Sequence, residues 1–180
     1  MSNLAATETL TELISQQTIA EIVQRLAHEL ARDYRDRAPL VIGLVKGSVM
    51  FLADLVRSME TPIQRIELVR FSSYGNRTVS SGQPNLLMGI EARIVRDQHV
   101  IIVEDIVDTG ITLSATLDYL KGFQPASLAL CALLDKPDRR QQPVSIDYLG
   151  MTIADRFIVG YGIDYAEKYR QLPAIYALEA

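Results

Sequence analysis

The stretch HVIIVEDIVDTGITL, residues 99–113, constrains the fold more than any other. Val100 to Val103 are four consecutive β-branched residues without a polar face, so a strand built from them must be covered on both sides. Two further runs, PLVIGLVKG (39–47) and SLALCALL (127–134), have the same character, and PIQRIELVRF (62–71) alternates like a strand. Helical patterns separate them: SVMFLADLVRSM (48–59) and TLSATLDYLKGF (112–123). Another begins near Ser15, where Ile19, Ile22, Val23, Leu26 and Leu30 keep helical spacing and Thr18 and Glu21 are placed as a capping box. Buried strands alternating with helices define an α/β domain, a mostly parallel sheet flanked by helices on both faces. A short final strand is expected near AIYAL (174–178), a loosely tied arm before Ser15, and an irregular loop over residues 72–89. With 180 residues, no repeat and no linker, the chain reads as one domain spanning 1–180.

Ligands of such sheets bind beyond the carboxyl ends of the strands. Three polar segments follow apolar runs there, KGS (46–48), EDIVDTGIT (104–112) and DKPDRR (135–140), and should converge. The middle one poses a conflict of charge. Thr109, Gly110 and Thr112 open a helix, whose unpaired N–H groups and partial positive charge suit a phosphate. Glu104, Asp105 and Asp108 would repel one. Adjacent carboxylates suit magnesium or ribose hydroxyls instead, so a substrate carrying diol, metal and phosphate together would reconcile the two halves. Neither the G-x-x-x-x-G-K-[ST] nor the G-x-G-x-x-G pattern is present.

VIIVEDIVDTGITL resembles the phosphoribosyl-pyrophosphate (PRPP) motif of type I phosphoribosyltransferases. GLVKGS, SSYG, LLDKPDRR and DRFIVGYGIDYAEKYRQLP resemble, in the same order, segments of the purine-salvage branch, the hypoxanthine-guanine phosphoribosyltransferases. The resemblance implies the fold of that family, with a small hood formed from N- and C-terminal segments. It implies transfer of the 5-phosphoribosyl group from PRPP to N9 of a 6-oxopurine, giving IMP or GMP and pyrophosphate, with Mg2+ as cofactor. Glu104 and Asp105 would face the ribose hydroxyls and magnesium, with Asp164 as a further metal ligand. Asp108 would be the general base beside purine N7. Thr109, Gly110 and Thr112 would hold the 5′-phosphate. Lys46 and Gly47, after a cis peptide bond, and Arg170 would contact pyrophosphate. Lys136 would donate to purine O6, Phe157 would stack on the base, and the Ile158 backbone would read its edge. Ser73 and Tyr74 would belong to a loop that closes over the site. A homodimer or homotetramer is implied as well.

Each residue also has a plainer role: Lys136 and Lys46 as turn lysines, Phe157 as core, Asp164 as a turn acid. Their joint order after separate strands favours the family. A lysine at purine position 6 donates and cannot accept, so hypoxanthine and guanine fit and adenine is poor. A xanthine-preferring enzyme stays open. A PRPP-sensing regulator would need a nucleic-acid surface, which Lys+Arg 18 against Asp+Glu 22 and a net charge of −4 do not offer. No membrane partner is expected. Cys131, the single cysteine, lies in an apolar run and reads as a packed thiol, and His28 and His99 lack metal-ligand spacing. MSNLAATETL has neither the basic start nor the apolar stretch of a signal peptide, so the expected location is cytoplasmic.

Overall fold

The computed structural model describes residues 9–72 and 84–179. In chain order the elements are β1 (Thr9–Ile14), α1 (Gln16–Asp33), β2 (Leu40–Leu44), α2 (Val49–Ser58), β3 (Arg65–Ser72), β4 (Asn85–Met88) and α3 (Ala92–Val95). There follow β5 (His99–Val107), α4 (Ile111–Lys121), β6 (Ser127–Asp135), β7 (Tyr148–Thr152), β8 (Ile158–Val159) and β9 (Ile175–Glu179).

Six strands form the main sheet in the order β4-β3-β2-β5-β6-β7. All neighbours in it are parallel except β3 and β4. The residues of β2 are all buried, as a strand covered on both faces requires. Successive side chains point to opposite faces, and the core divides accordingly. Val41, Ile101, Val103, Cys131 and Leu133 join α1 and α2 residues such as Leu26, Leu30, Phe51 and Leu55 on one side. Leu40, Ile42, Val100, Ile102, Leu130 and Ala132 meet Val95 of α3 and Leu113 and Leu120 of α4 on the other. Cys131 is fully buried, and burial pushes its thiol pKa up, which keeps it a packed neutral group.

The helix α1 buries Ile19, Val23, Leu26, Ala27 and Leu30 on one stripe. Its cap is Ser15 rather than Thr18: the Ser15 hydroxyl accepts from the Thr18 N–H at 3.1 Å, and Thr18 and Glu21 lie inside the first turns. The expected arm before Ser15 is ordered over Thr9–Ile14, where β1 pairs antiparallel with β9. Together with β8 they make a separate three-stranded sheet, so the N- and C-terminal segments do meet. The earlier residues of the arm lie outside the described set. The expected loop 72–89 is also partly regular, since Asn85–Met88 pairs with the end of β3 as an edge strand. No helix among the described residues is long and apolar enough to cross a membrane.

Candidate active site

The strand β5 runs four residues beyond its apolar stretch and stays paired with β6 as far as Val107 opposite Asp135. Glu104 and Asp105 are therefore strand residues, fixed by the ladder and not by a loop. Asp105 is 7% exposed. Burial raises its pKa to about 6, against the opposing pull of the backbone N–H groups of Asp105 and Ile106 and the Arg170 guanidinium. Burial, and then the neighbouring Asp105 charge, push the Glu104 carboxyl well above the usual range. Glu104 Oε2 is buried without a hydrogen-bond partner. These are oxygens that a cation or a diol would satisfy.

The expected convergence of the polar turns is met at two points: the Gly47 backbone lies against the Asp105 carboxyl, and the Lys136 N–H donates to the Val107 carbonyl. Val45–Lys46 is a cis peptide. Gly47, next to it, lies over the Asp105 carboxyl, such that a Cβ there would come within 2.8 Å of Asp105 Cγ. Gly162 in turn has φ +99° and packs on the Gly47 carbonyl, where a Cβ would stand in the way. Gly162 must be glycine for the turn to close on Gly47, and a side chain at Gly47 would displace the Asp105 carboxyl.

The cations expected to meet pyrophosphate are held by carboxylates. Lys46 Nζ donates to both Glu167 oxygens, at 3.0 and 2.9 Å. Arg170 donates to the Gly162 carbonyl at 2.7 Å and pairs with Asp164 at 2.8 Å and Glu167 at 3.3 Å. The bonds from Lys46 and Arg170 hold the Glu167 carboxyl below the usual range. Asp164 Oδ2 accepts from the Glu167 N–H at 2.8 Å. Asp164 thus lies beside Arg170 and within electrostatic reach of Asp105. Glu167, absent from the sequence reading, is the anion that organises this corner.

Beyond β5 the chain turns through Asp108 and Thr109 to Gly110, which caps α4 at φ +80° without any side-chain bond to the helix. Gly110 itself thus offers no side-chain cap, and the helix end is open to an anion. Thr109 Oγ1 accepts from the Ile111 N–H at 3.4 Å, and the Thr112 carbonyl accepts from Thr116 within the helix. Asp108 Oδ1 lies 3.2 Å from Arg139 Nε, close enough to pair but without hydrogen-bond alignment.

Lys136 is no solvated turn lysine. It is 5% exposed, and its ammonium donates to the Arg156 carbonyl. Burial lowers its pKa, with Asp108 and Asp155 opposing. Phe157, which follows Arg156, is 52% exposed and meets Tyr165 edge to face, with ring centroids 5.4 Å apart. Ile158 faces inward at 4% exposure, in β8. Phe157 thus stays outside, just ahead of β8, where Ile158 and Val159 are both buried, a boundary that the apolar string RFIVGY hides. Ser73 and Tyr74 lie outside the described residues.

A parallel sheet whose central strand ends in buried acids and an open helix terminus, with a lysine-glycine turn facing them, defines the phosphoribosyltransferase class. The family described as "Phosphoribosyl transferase domain" matches residues 9–166. The hypoxanthine-guanine phosphoribosyltransferase of Bacillus subtilis is 40% identical over 167 residues, 93% of this chain and 92% of that protein. That of Staphylococcus epidermidis is 40% identical over 93% of each. The crystal structure of a hypoxanthine-guanine phosphoribosyltransferase from Bacillus anthracis superposes with a TM-score of 0.87 at 38% identity, covering 96% of this chain and all of that one. The chain belongs to the hypoxanthine-guanine phosphoribosyltransferase family.

Proposed function

We propose that this chain transfers the 5-phosphoribosyl group of PRPP to N9 of hypoxanthine or guanine, releasing pyrophosphate and IMP or GMP, as a cytoplasmic purine-salvage enzyme working as a homodimer or homotetramer. The observation that carries the base assignment is the pairing of buried Lys136 with half-exposed Phe157. A fixed ammonium and an open aromatic face lie one residue apart across the Arg156 carbonyl. Together they offer a donor for a 6-oxo group and a surface for stacking.

The rest of the site divides the work. Thr109, Gly110 and Thr112 at the open end of α4 receive the 5′-phosphate. Glu104 and Asp105 accept from the ribose hydroxyls and, with Asp164, supply oxygens for Mg2+. Among the described residues no three metal-ligating side chains cluster tightly enough to hold an ion alone. Magnesium keeps waters and shares its shell with substrate oxygens, so it asks for few protein carboxylates. When bound, it shields the charge of the departing pyrophosphate. Lys46, the Gly47 backbone and Arg170 take up that pyrophosphate, with Glu167 yielding its place on both cations. C1′ passes through an oxocarbenium-like state as the C1′–O bond breaks and N9 attacks. Asp108 accepts or shares the N7 proton as the purine becomes bonded at N9. The Ile158 backbone reads the base edge, and Ser73 and Tyr74 would close over the site.

An ultraviolet assay with PRPP, Mg2+ and hypoxanthine, guanine, xanthine or adenine tests the reading. Turnover is expected with the first two and not with adenine. Inactivity with every 6-oxopurine would overturn it, and a clear preference for xanthine would move the chain to a different base specificity.

A further inference from the structure

The segment after Lys136 has no part in the chemistry above, yet it is tied to the phosphate-facing turn bond by bond. The N–H of Lys136 donates to the Val107 carbonyl at 2.9 Å, and those of Gln141 and Gln142 donate to the Thr109 carbonyl at 2.9 and 3.0 Å. The Arg140 guanidinium donates to the Asp108 carbonyl at 3.0 Å and the Val107 carbonyl at 3.3 Å, and pairs with Asp135. Arg140 and Asp135 are largely shielded, at 18% and 15% side-chain exposure. Gly110 fits against this strut closely: a Cβ on it would meet the Gln142 carbonyl and come 3.0 Å from Arg140 Cδ.

Across a trans peptide, a carbonyl and the following N–H point in opposite directions. Tying the Asp108 carbonyl to Arg140 therefore turns the Thr109 N–H away from the strut. Tying the Thr109 carbonyl to Gln141 and Gln142 does the same for the Gly110 N–H. A loop free to flip either peptide would present a carbonyl oxygen to the phosphate in place of a donor. We propose that Arg140 is a positioning residue for the 5′-phosphate cradle, holding the carbonyls at the end of β5 away from substrate so that the Thr109 and Gly110 N–H groups face the phosphate. The task needs a guanidinium, whose planar fork reaches two carbonyls and a carboxylate at once, where an ammonium offers a point charge on a flexible stem. The same strut begins at Lys136, so it sets the distance between the purine and phosphate ends of the site. This inference rests on the turn's being the PRPP cradle.

Arg140→Met, Arg140→Lys and the double variant Asp135→Asn/Arg140→Met test it, by steady-state kinetics and by calorimetric binding of ribose 5-phosphate. The double variant leaves no unpaired buried carboxylate, so it separates positioning from loss of fold, and it should melt close to the parent. In Arg140→Met and in the double variant, KM for PRPP and Kd for ribose 5-phosphate should rise about tenfold or more, as for a misplaced binding group, while KM for hypoxanthine moves less than about threefold. Arg140→Lys should recover only part of the loss. A double variant with parental KM for PRPP, an equal rise in both KM values, or full recovery by lysine would overturn the proposal. A parent chain that neither binds ribose 5-phosphate nor turns over PRPP would remove the cradle itself, and Arg140's role with it. An active parent with unaffected variants would sink Arg140 alone.

Discussion

Truncating Phe157 to alanine separates a binding role from a packing one, because the two predict opposite magnitudes. A fully buried phenylalanine loses about 3–5 kcal/mol on truncation. Phe157 is already 52% exposed, and its ring contact is the edge-to-face pair with Tyr165. Such a pair contributes about 0.5–1.5 kcal/mol. The residual burial and this pair together put the stability loss at about 1–2 kcal/mol, a fall of roughly 2–8 °C in Tm for a chain of this size. A base stacked on the ring, by contrast, draws about 1–3 kcal/mol from it. That converts to a rise of about 5- to 150-fold in KM for hypoxanthine, with KM for PRPP nearly unchanged. The readouts are the ultraviolet assay at saturating PRPP and a thermal melt on the same sample, with Phe157→Tyr restoring most of the base affinity. An unchanged KM for hypoxanthine together with a stability loss above about 3 kcal/mol would refute the reasoning, since that is the signature of a core residue.

Two further outcomes follow from the acids of β5 and its turn. Burial pushes Asp105 up to about 6 in the folded chain, above the ordinary aspartate range, so the folded state holds a proton that the unfolded state has lost. The ligand-free protein should therefore gain up to about 3 kcal/mol from this group as pH falls from 7.5 through 6 toward 4, and Glu104 acts in the same direction. Asp105→Asn should flatten that slope and raise Tm at pH 7.5 while removing turnover; thermal melts across pH that are flat in the parent would contradict it. Asp108→Asn should keep KM for PRPP within about threefold and lower kcat by roughly 10²–10⁴-fold, and near-normal turnover would end its assignment as the base.

The sequence was legible where physics is local. The runs that became β2, β5 and β6 are apolar throughout because both faces are covered, and α1, α2 and α4 follow their helical spacing. The strands β1 and β7 left little trace. TLTELI is mostly exposed, and its pairing is decided by β9, at the other end of the chain. YLGMT is a short edge strand with intermediate burial. In the site, the order of the polar segments announced their meeting, but not how they touch. Arg140, inside LLDKPDRR, has no legible role in the sequence, because its partners Val107 and Asp108 offer it backbone carbonyls, which carry no side-chain signature. Glu167 is illegible for a related reason: its importance lies in Lys46, 121 positions earlier.

The contact of Asp105 with Gly47, and of Gly47 with Gly162, has a consequence for how this enzyme can be damaged. The three residues come from the second, third and last quarters of the chain, and each fills space that a side chain on its neighbour would need. A partly opened state that frees any one of these segments should lose the site as a whole and not retain a weakened version of it. Turnover is accordingly an all-or-none gauge of the intact fold. A destabilised variant should lower the number of active molecules while each survivor works at full rate, and its defect will present as lost specific activity with an unaltered KM.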